Sequence, residues 1–189
     1  MIRNKKDLHR YILADYQAQK MEHPFFARFS YGENWAMYKY MKVLRKLEYY
    51  QNAPPNFFRR LLYGWYNLKH RKMSLRYNIY ISPNIVGEGF KLVHPGFRRI
   101  DTVVKSIGNN CSVLPMVLFG KGTNGMVGCI EVGDNVSFGT GCTILGPVKI
   151  GNNVVVGAGA VVTKDIPDNC TVAGVPAKII KRNEIIINH

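Results

Sequence analysis

In the C-terminal part of the chain, from Ile79, aliphatic and aromatic side chains recur at a fixed step. Val132, Phe138, Ile144, Ile150, Val156 and Val162 follow one another every six residues, and Ile107 and Val113 stand earlier on the same step. The step from Val113 to Val132 is nineteen, three sixes plus one. A second row lies four residues after the first, through Cys111, Val117, Val136, Cys142, Val148, Val154, Ala160 and Ile166. Glycine often directly follows the leading aliphatic, as at Gly108, Gly133, Gly139, Gly151 and Gly157. No helix repeats every six residues, and an internal repeat outranks local propensity as evidence. One short strand and one tight turn do repeat at that length. The leading side chain points inward and the small residue after it lets the backbone turn. Three such units close a triangular coil, and coils bury their inward rows only against each other. The pattern predicts a parallel β-helix over residues 77–181.

Residues 1–76 follow a helical period instead. A first helix is expected from Asn4 or Lys5 to about Met21, with Leu8, Tyr11, Ile12 and Asp15 on one face. His23 to Phe26 interrupts it. A second helix starts near Asn34, a suitable N-cap, and runs to about Gln51, with Trp35, Tyr38, Met41, Leu44, Leu47 and Tyr50 at helical spacing. Pro54-Pro55 breaks the chain. Asn56 then caps a third helix carrying Phe57, Leu61, Leu62, Trp65 and Leu68. The aromatic density predicts packing of that face, as a helical cap or an oligomer interface. A basic amphipathic face on a membrane surface is the alternative. Residues 182–189 form a tail.

Composition adds three constraints. Hydrophobic residues make up 47% and charged residues 20%, a globular balance. The net charge is +14, and residues 1–80 carry most of it, with 16 Lys+Arg against 5 Asp+Glu. That excess favours an anionic partner, although no nucleic-acid motif accompanies it. No apolar run approaches the roughly 18–20 residues that cross a bilayer. The start lacks a signal peptide's apolar centre and cleavage site, so a cytoplasmic location is expected. Cys111, Cys129, Cys142 and Cys170 form no CxxC pair and have no histidine at zinc-ligand spacing. Buried reduced thiols are expected, and no metal site.

The repeat resembles that of the hexapeptide-repeat acyltransferases, whose β-helix is left-handed. The segment DNCTVAGVPAKIIK, Asp168 to Lys181, looks like the last turn of the acetyl-CoA-dependent members. GEGFKLVHPG, Gly87 to Gly96, and SIGNNCSVLPMVLFGKG, Ser106 to Gly122, resemble the blocks of serine acetyltransferase that hold its histidine and its glycine-rich stretch. The likeness covers residues 80–181. The short helical region looks more like the forms associated with polysaccharide biosynthesis.

This resemblance implies a mechanism and a set of residues. His94 is the general base that takes a proton from an acceptor hydroxyl, a task suited to an imidazole with a pKa near ~6.5. The oxygen then attacks the acetyl carbonyl of acetyl-CoA directly. Backbone N–H groups near Gly120 would hold the oxyanion. Gly139, Thr140, Gly157 and Ala158 sit where the family's pantetheine arm runs between subunits, and Lys178 is a candidate phosphate contact, with Lys164 and Lys181 behind it. A site shared in this way implies a homotrimer, with pairing through the N-terminal helices a further expectation. A route through Cys111 or Cys142 is disfavoured by their inward repeat positions.

Three departures bear on the acceptor. Aligning Ser82-Pro83 on the family's His-Pro puts Tyr80 where the family has an Asp. Val93 stands where another Asp precedes the histidine. The loop TNGMVGC, Thr123 to Cys129, lacks the Arg-His pair that engages serine. Asp101 is a candidate to orient His94, and Arg98 and Arg99 are candidates to grip a carboxylate or acidic sugar in place of the missing pair. The leading expectation is acetyl transfer to L-serine or to a sugar hydroxyl, leaning toward sugar. A non-catalytic β-helix scaffold is the main alternative.

Overall fold

The computed structural model describes residues 1–20, 32–54, 56–122 and 127–182. The interruption at His23–Phe26, Pro55, the loop residues 123–126 and the tail beyond Arg182 fall outside the described residues.

Three helices precede the strands: α1 (Lys5–Ala18), α2 (Glu33–Asn52) and α3 (Phe57–Tyr77). Asn4 and Asn56 cap α1 and α3, each side-chain oxygen accepting a backbone N–H three residues on, from Asp7 and Arg59. The cap expected at Asn34 is not used; α2 begins one residue earlier, behind Gly32. α3 stops at Asn78, which takes the left-handed conformation that ends a helix.

Fourteen short strands follow among the described residues, in three sheets. The first sheet stacks β1 (Ile79–Ile81), β3 (Arg98–Ile100), β6 (Val117–Lys121), β9 (Thr143–Gly146) and β12 (Val161–Val162). The second stacks β4 (Val104–Ile107), β7 (Ile130–Val132) and β10 (Val148–Ile150). The third stacks β2 (Lys91–Leu92), β5 (Ser112–Val113), β8 (Ser137–Phe138), β11 (Val155–Val156), β13 (Cys170–Ala173) and β14 (Lys178–Arg182). Pairing is parallel throughout, except that β14 returns antiparallel on β13 and closes the stack. The chain visits the three sheets in rotation, so each is one face of a triangular prism.

Register explains the six-residue rows. Ile81, Ile100, Phe119, Ile144 and Val162 stack in one inward column of the first face, and all are buried. Every member of the two predicted rows is buried, including the thiols of Cys111 and Cys142. Burial pushes those thiols up, to about 11 and about 12, which keeps them protonated and poorly nucleophilic at neutral pH.

A buried ion cluster fastens the helices to the first coil. Arg45 of α2 donates through Nε to Asp15 of α1 at 2.8 Å and through Nη1 to Glu48 at 3.1 Å. Its remaining N–H groups reach the carbonyls of Val86 and Gly87. Asp15 also accepts the backbone N–H of Phe90, and Glu48 that of Asn84. Arg45 and Asp15 are fully buried. Burial raises the Asp15 carboxyl against the pull of Arg45, while the two carboxylates keep the guanidinium charged.

Within the chain, α3 packs through a side other than its apolar stripe. Tyr66, His70 and Ser74 are buried against α2 and β1, whereas Phe57, Leu61, Trp65 and Leu68 are exposed. His70 Nε2 lies 3.0 Å from the Tyr40 hydroxyl, which donates to the carbonyl of Ile79. Burial lowers the His70 pKa from 6.5 to about 4. The unfolded chain therefore binds the extra proton between those values. The stability His70 lends is complete above its unfolded pKa and is lost as pH falls through the folded one. Urea unfolding at neutral pH and near pH 4.5 should show a His70→Gln variant losing less stability on acidification than the parent, by up to about 3 kcal/mol. Equal losses in the two proteins would refute the assignment.

Candidate active site

The three faces meet at corners, and one corner carries most of the candidate residues. It lies between the third face and the first. In the lower coils four residue steps cross it: Val113 to Val117, and Phe138 to Cys142. In the first coil six steps cross it, from Leu92 to Arg98, although both ends hold the same register. The added residues form a larger turn, Val93 to Phe97, with His94 at its tip. His94 has φ +59°, a left-handed conformation uncommon outside glycine and best tolerated by asparagine, aspartate and histidine.

Arg98 holds that turn from inside. It occupies an inward position in the first face, between Ile79 and Val117 in register, and is 1% exposed. Its guanidinium donates to the carbonyl of His94 at 2.7 Å and also to those of Val93 and Gly96. Nε donates to the carbonyls of Val113 and Leu114 on the next coil. Desolvation lowers its pKa to about 10, and it remains charged at neutral pH. Arg98 is therefore not the substrate anchor expected from its position after His94. An enlarged turn directs carbonyls inward, and the arginine supplies the N–H groups they need.

Glu33 holds the turn from outside. His94 Nδ1 lies 2.7 Å from Glu33 Oε2. The carboxylate that meets the His94 ring therefore belongs to the first residue of α2 and not to Asp101. Asp101 is committed elsewhere: Oδ2 accepts from Arg99 Nε at 2.9 Å, and Oδ1 accepts the backbone N–H of Val103. Arg99 also lies over the Tyr80 ring, 5.5 Å from its centroid. Sequence spacing held no clue to Glu33, which is 61 residues from His94. A carboxylate at Nδ1 can only accept, so the Nδ1 proton faces Glu33, and in the neutral tautomer Nε2 is the nitrogen left to act as an acceptor.

Below His94 the same corner is built from small residues. Gly96 lies over Pro115, and Gly141 and Gly159 donate to the carbonyls of Pro115 and Thr140 one coil up. His94, Thr140 and Ala158 therefore share one edge of the prism, and all three are exposed. Gly139 and Gly157 are needed for the stacking itself. A Cβ on Gly139 would come within 2.6 Å of the Ala158 nitrogen. At Gly141 and Gly159 it would meet nothing within 4 Å, so the edge is an open lane. Lys178 lies exposed at its lower end, paired with Ala173, and Lys164 and Lys181 are exposed nearby in sequence. Gly120 is not brought to His94 within the chain. It pairs with Leu145 near the far end of β6, roughly 16 Å along the first face. Among the described residues no cluster of histidine, cysteine and carboxylates is arranged to hold a metal.

The bacterial transferase hexapeptide (six repeats) family model matches residues 129–164. A serine acetyltransferase from Brucella abortus strain S19 superposes with a TM-score of 0.72 at 23% identity, covering 94% of this chain and 70% of that one. The Neisseria gonorrhoeae serine acetyltransferase gives 0.71 at 25% identity, covering 95% and 68%. The Brucella abortus protein in complex with coenzyme A gives 0.67 at 24%, covering 95% and 70%. The fold is the left-handed parallel β-helix of hexapeptide repeats with an N-terminal helical region, as in serine acetyltransferases.

Arg98→Met should cost about 3 kcal/mol in urea unfolding, because several buried carbonyls lose their donor. Arg98→Lys should recover only part of the loss, since an ammonium cannot span the same acceptors. A methionine variant as stable as the parent would show that the guanidinium does not hold the turn.

Proposed function

On this likeness to serine acetyltransferases, we propose that the chain is an acetyl-CoA-dependent O-acetyltransferase with His94 as its general base. The observation that carries the reading is the pairing of His94 with Glu33 on an enlarged corner, above an edge of small residues. His94 Nε2 takes the proton from an acceptor hydroxyl as the oxygen attacks the thioester carbonyl. The tetrahedral intermediate collapses, the carbon–sulfur bond breaks, and His94 returns the proton to the departing thiolate. Glu33 holds the imidazole in the productive tautomer and stabilises the imidazolium while it lasts. Acetyl-CoA supplies the activated acetyl group and leaves as the free thiol.

The open lane past Thr140 and Ala158 fits an extended pantetheine arm, and Gly139 and Gly157 keep its floor flat. Lys178 is suited to a phosphate at the lower end. A homotrimer, in which a neighbouring copy closes this edge, is part of the reading. Gly120 would then serve as an oxyanion donor from that neighbour.

A sugar hydroxyl is favoured over L-serine as acceptor. Arg98 is buried on carbonyls and Arg99 is paired through Nε with Asp101, so the two arginines do not form a ready anchor for an amino acid's carboxylate. A neutral acceptor needs no such anchor.

Release of CoA thiol should be followed with L-serine and with a panel of sugars. The parent should acetylate a sugar in preference to L-serine, and His94→Ala should lose about 100-fold or more in kcat while still binding CoA. Glu33→Gln should lose about tenfold, since a charge-assisted hydrogen bond becomes a weaker neutral one at an exposed pair. An alanine variant as active as the parent would remove the mechanism. Silence of the parent with every acceptor would favour the scaffold reading.

A further inference from the structure

We propose that the outer face of α3 docks the protein onto an anionic lipid bilayer. The inference is independent of the acetyl-transfer reading.

At 100° per residue, Phe57, Leu61, Leu68 and Leu75 fall within about 40° of one line along α3, with Trp65 beside them. Leu75 is 86% exposed, Phe57 77%, Leu68 68% and Trp65 52%. The opposite side is the one that packs on α2 and β1, through Tyr66, His70 and Ser74. The stripe is therefore a surplus of apolar surface after the fold has taken what it needs. An apolar stripe of this length, roughly 30 Å over 21 residues, is too large to be scattered surface hydrophobics.

Charge identifies the occupant. α3 carries Arg59, Arg60, Lys69, Arg71, Lys72 and Arg76 and no acidic residue. Arg60 and Arg71 flank the stripe on one side, Lys69 and Arg76 on the other. Basic residues beside an apolar face, with an aromatic ring in it, form the pattern of a helix lying in the plane of a bilayer interface. The basic side chains meet anionic headgroups and the stripe enters the acyl boundary. Each cation near such a surface adds about 1 kcal/mol. A second copy of this helix would instead set the cations flanking the stripe against others of the same sign. No helix of the described residues is long and apolar enough to cross the membrane, so the contact would be peripheral.

Flotation with phosphatidylcholine vesicles, with and without phosphatidylglycerol, tests this on the full chain. Binding is expected only when the anionic lipid is present, and added salt should weaken it. The double variant Leu61→Gln, Leu68→Gln should bind about tenfold or more weakly with unchanged circular dichroism. In a Trp35→Phe background, Trp65 is the sole indole, and its emission should shift to shorter wavelength on binding. The idea fails if anionic vesicles are not bound, or if the double variant binds them as the parent does. It fails equally if that variant only sediments as a smaller assembly, which would make the stripe a contact between copies.

Discussion

Registered stacking governs everything else in the lower part of this protein. Each coil hydrogen-bonds to the coils above and below it, so a residue added within a strand disturbs the register, as at the irregularity between Val104 and Ser106 of β4 opposite β7. Larger additions sit at corners, where the chain is already turning. The chain uses this freedom at two places. Two additional residues enlarge the turn that carries His94, and a longer excursion separates β6 from β7, between Lys121 and Ile130. The repeat supplies a straight, side-chain-poor edge, and the corner insertions supply whatever is not repetitive.

An enlarged corner has a physical cost, and Arg98 shows how it is met. A tight turn spends its carbonyls on the neighbouring coil. A turn two residues longer has carbonyls left over, directed toward a core of isoleucine, valine and phenylalanine. Unpaired, each would cost about 1–3 kcal/mol. A hydrophobic side chain in the inward column could not help them. A guanidinium can, because its planar donors diverge to several acceptors at once. The cost is a buried cation with no carboxylate partner among the described residues, and desolvation lowers the Arg98 pKa to about 10.

This also explains what the sequence revealed and what it hid. Periodicity exposed the coils, because nearly every inward position is apolar, whether small, branched or aromatic. Arg98 breaks that rule, and a charged residue close to a histidine reads naturally as a ligand. Only the register with Ile79 and Val117 shows that it points inward. Glu33 was illegible for another reason: its link to His94 runs through the packing of α2 on the first coil, which no local pattern encodes. α3 misled in the opposite direction. Its most apolar residues lie on one stripe, as core residues do, yet the side that packs within the chain carries Tyr66, His70 and Ser74, of which His70 and Ser74 hydrogen-bond to the Tyr40 hydroxyl. A hydrophobic stripe identifies a face that avoids water, not what covers it.

The buried cluster around Arg45 connects these observations. An ion network of this kind is weak evidence for stability, since desolvating three charged groups offsets most of their attraction. Its geometry matters more. Arg45 and Glu48 bind the main chain of the first coil at Val86, Gly87 and Asn84, and Asp15 binds it at Phe90. These contacts fix both the position and the rotation of α2 on the prism. Apolar packing alone would permit α2 to slide or turn by a fraction of a helical repeat, because aliphatic surfaces have no preferred register. Glu33 stands at the far end of the same helix, more than two turns from Arg45, and a small rotation would carry its carboxylate away from His94. Directional hydrogen bonds in the interior thus set an exposed pair at the surface. The carboxylate that faces His94 comes from a helix whose placement the first coil itself dictates.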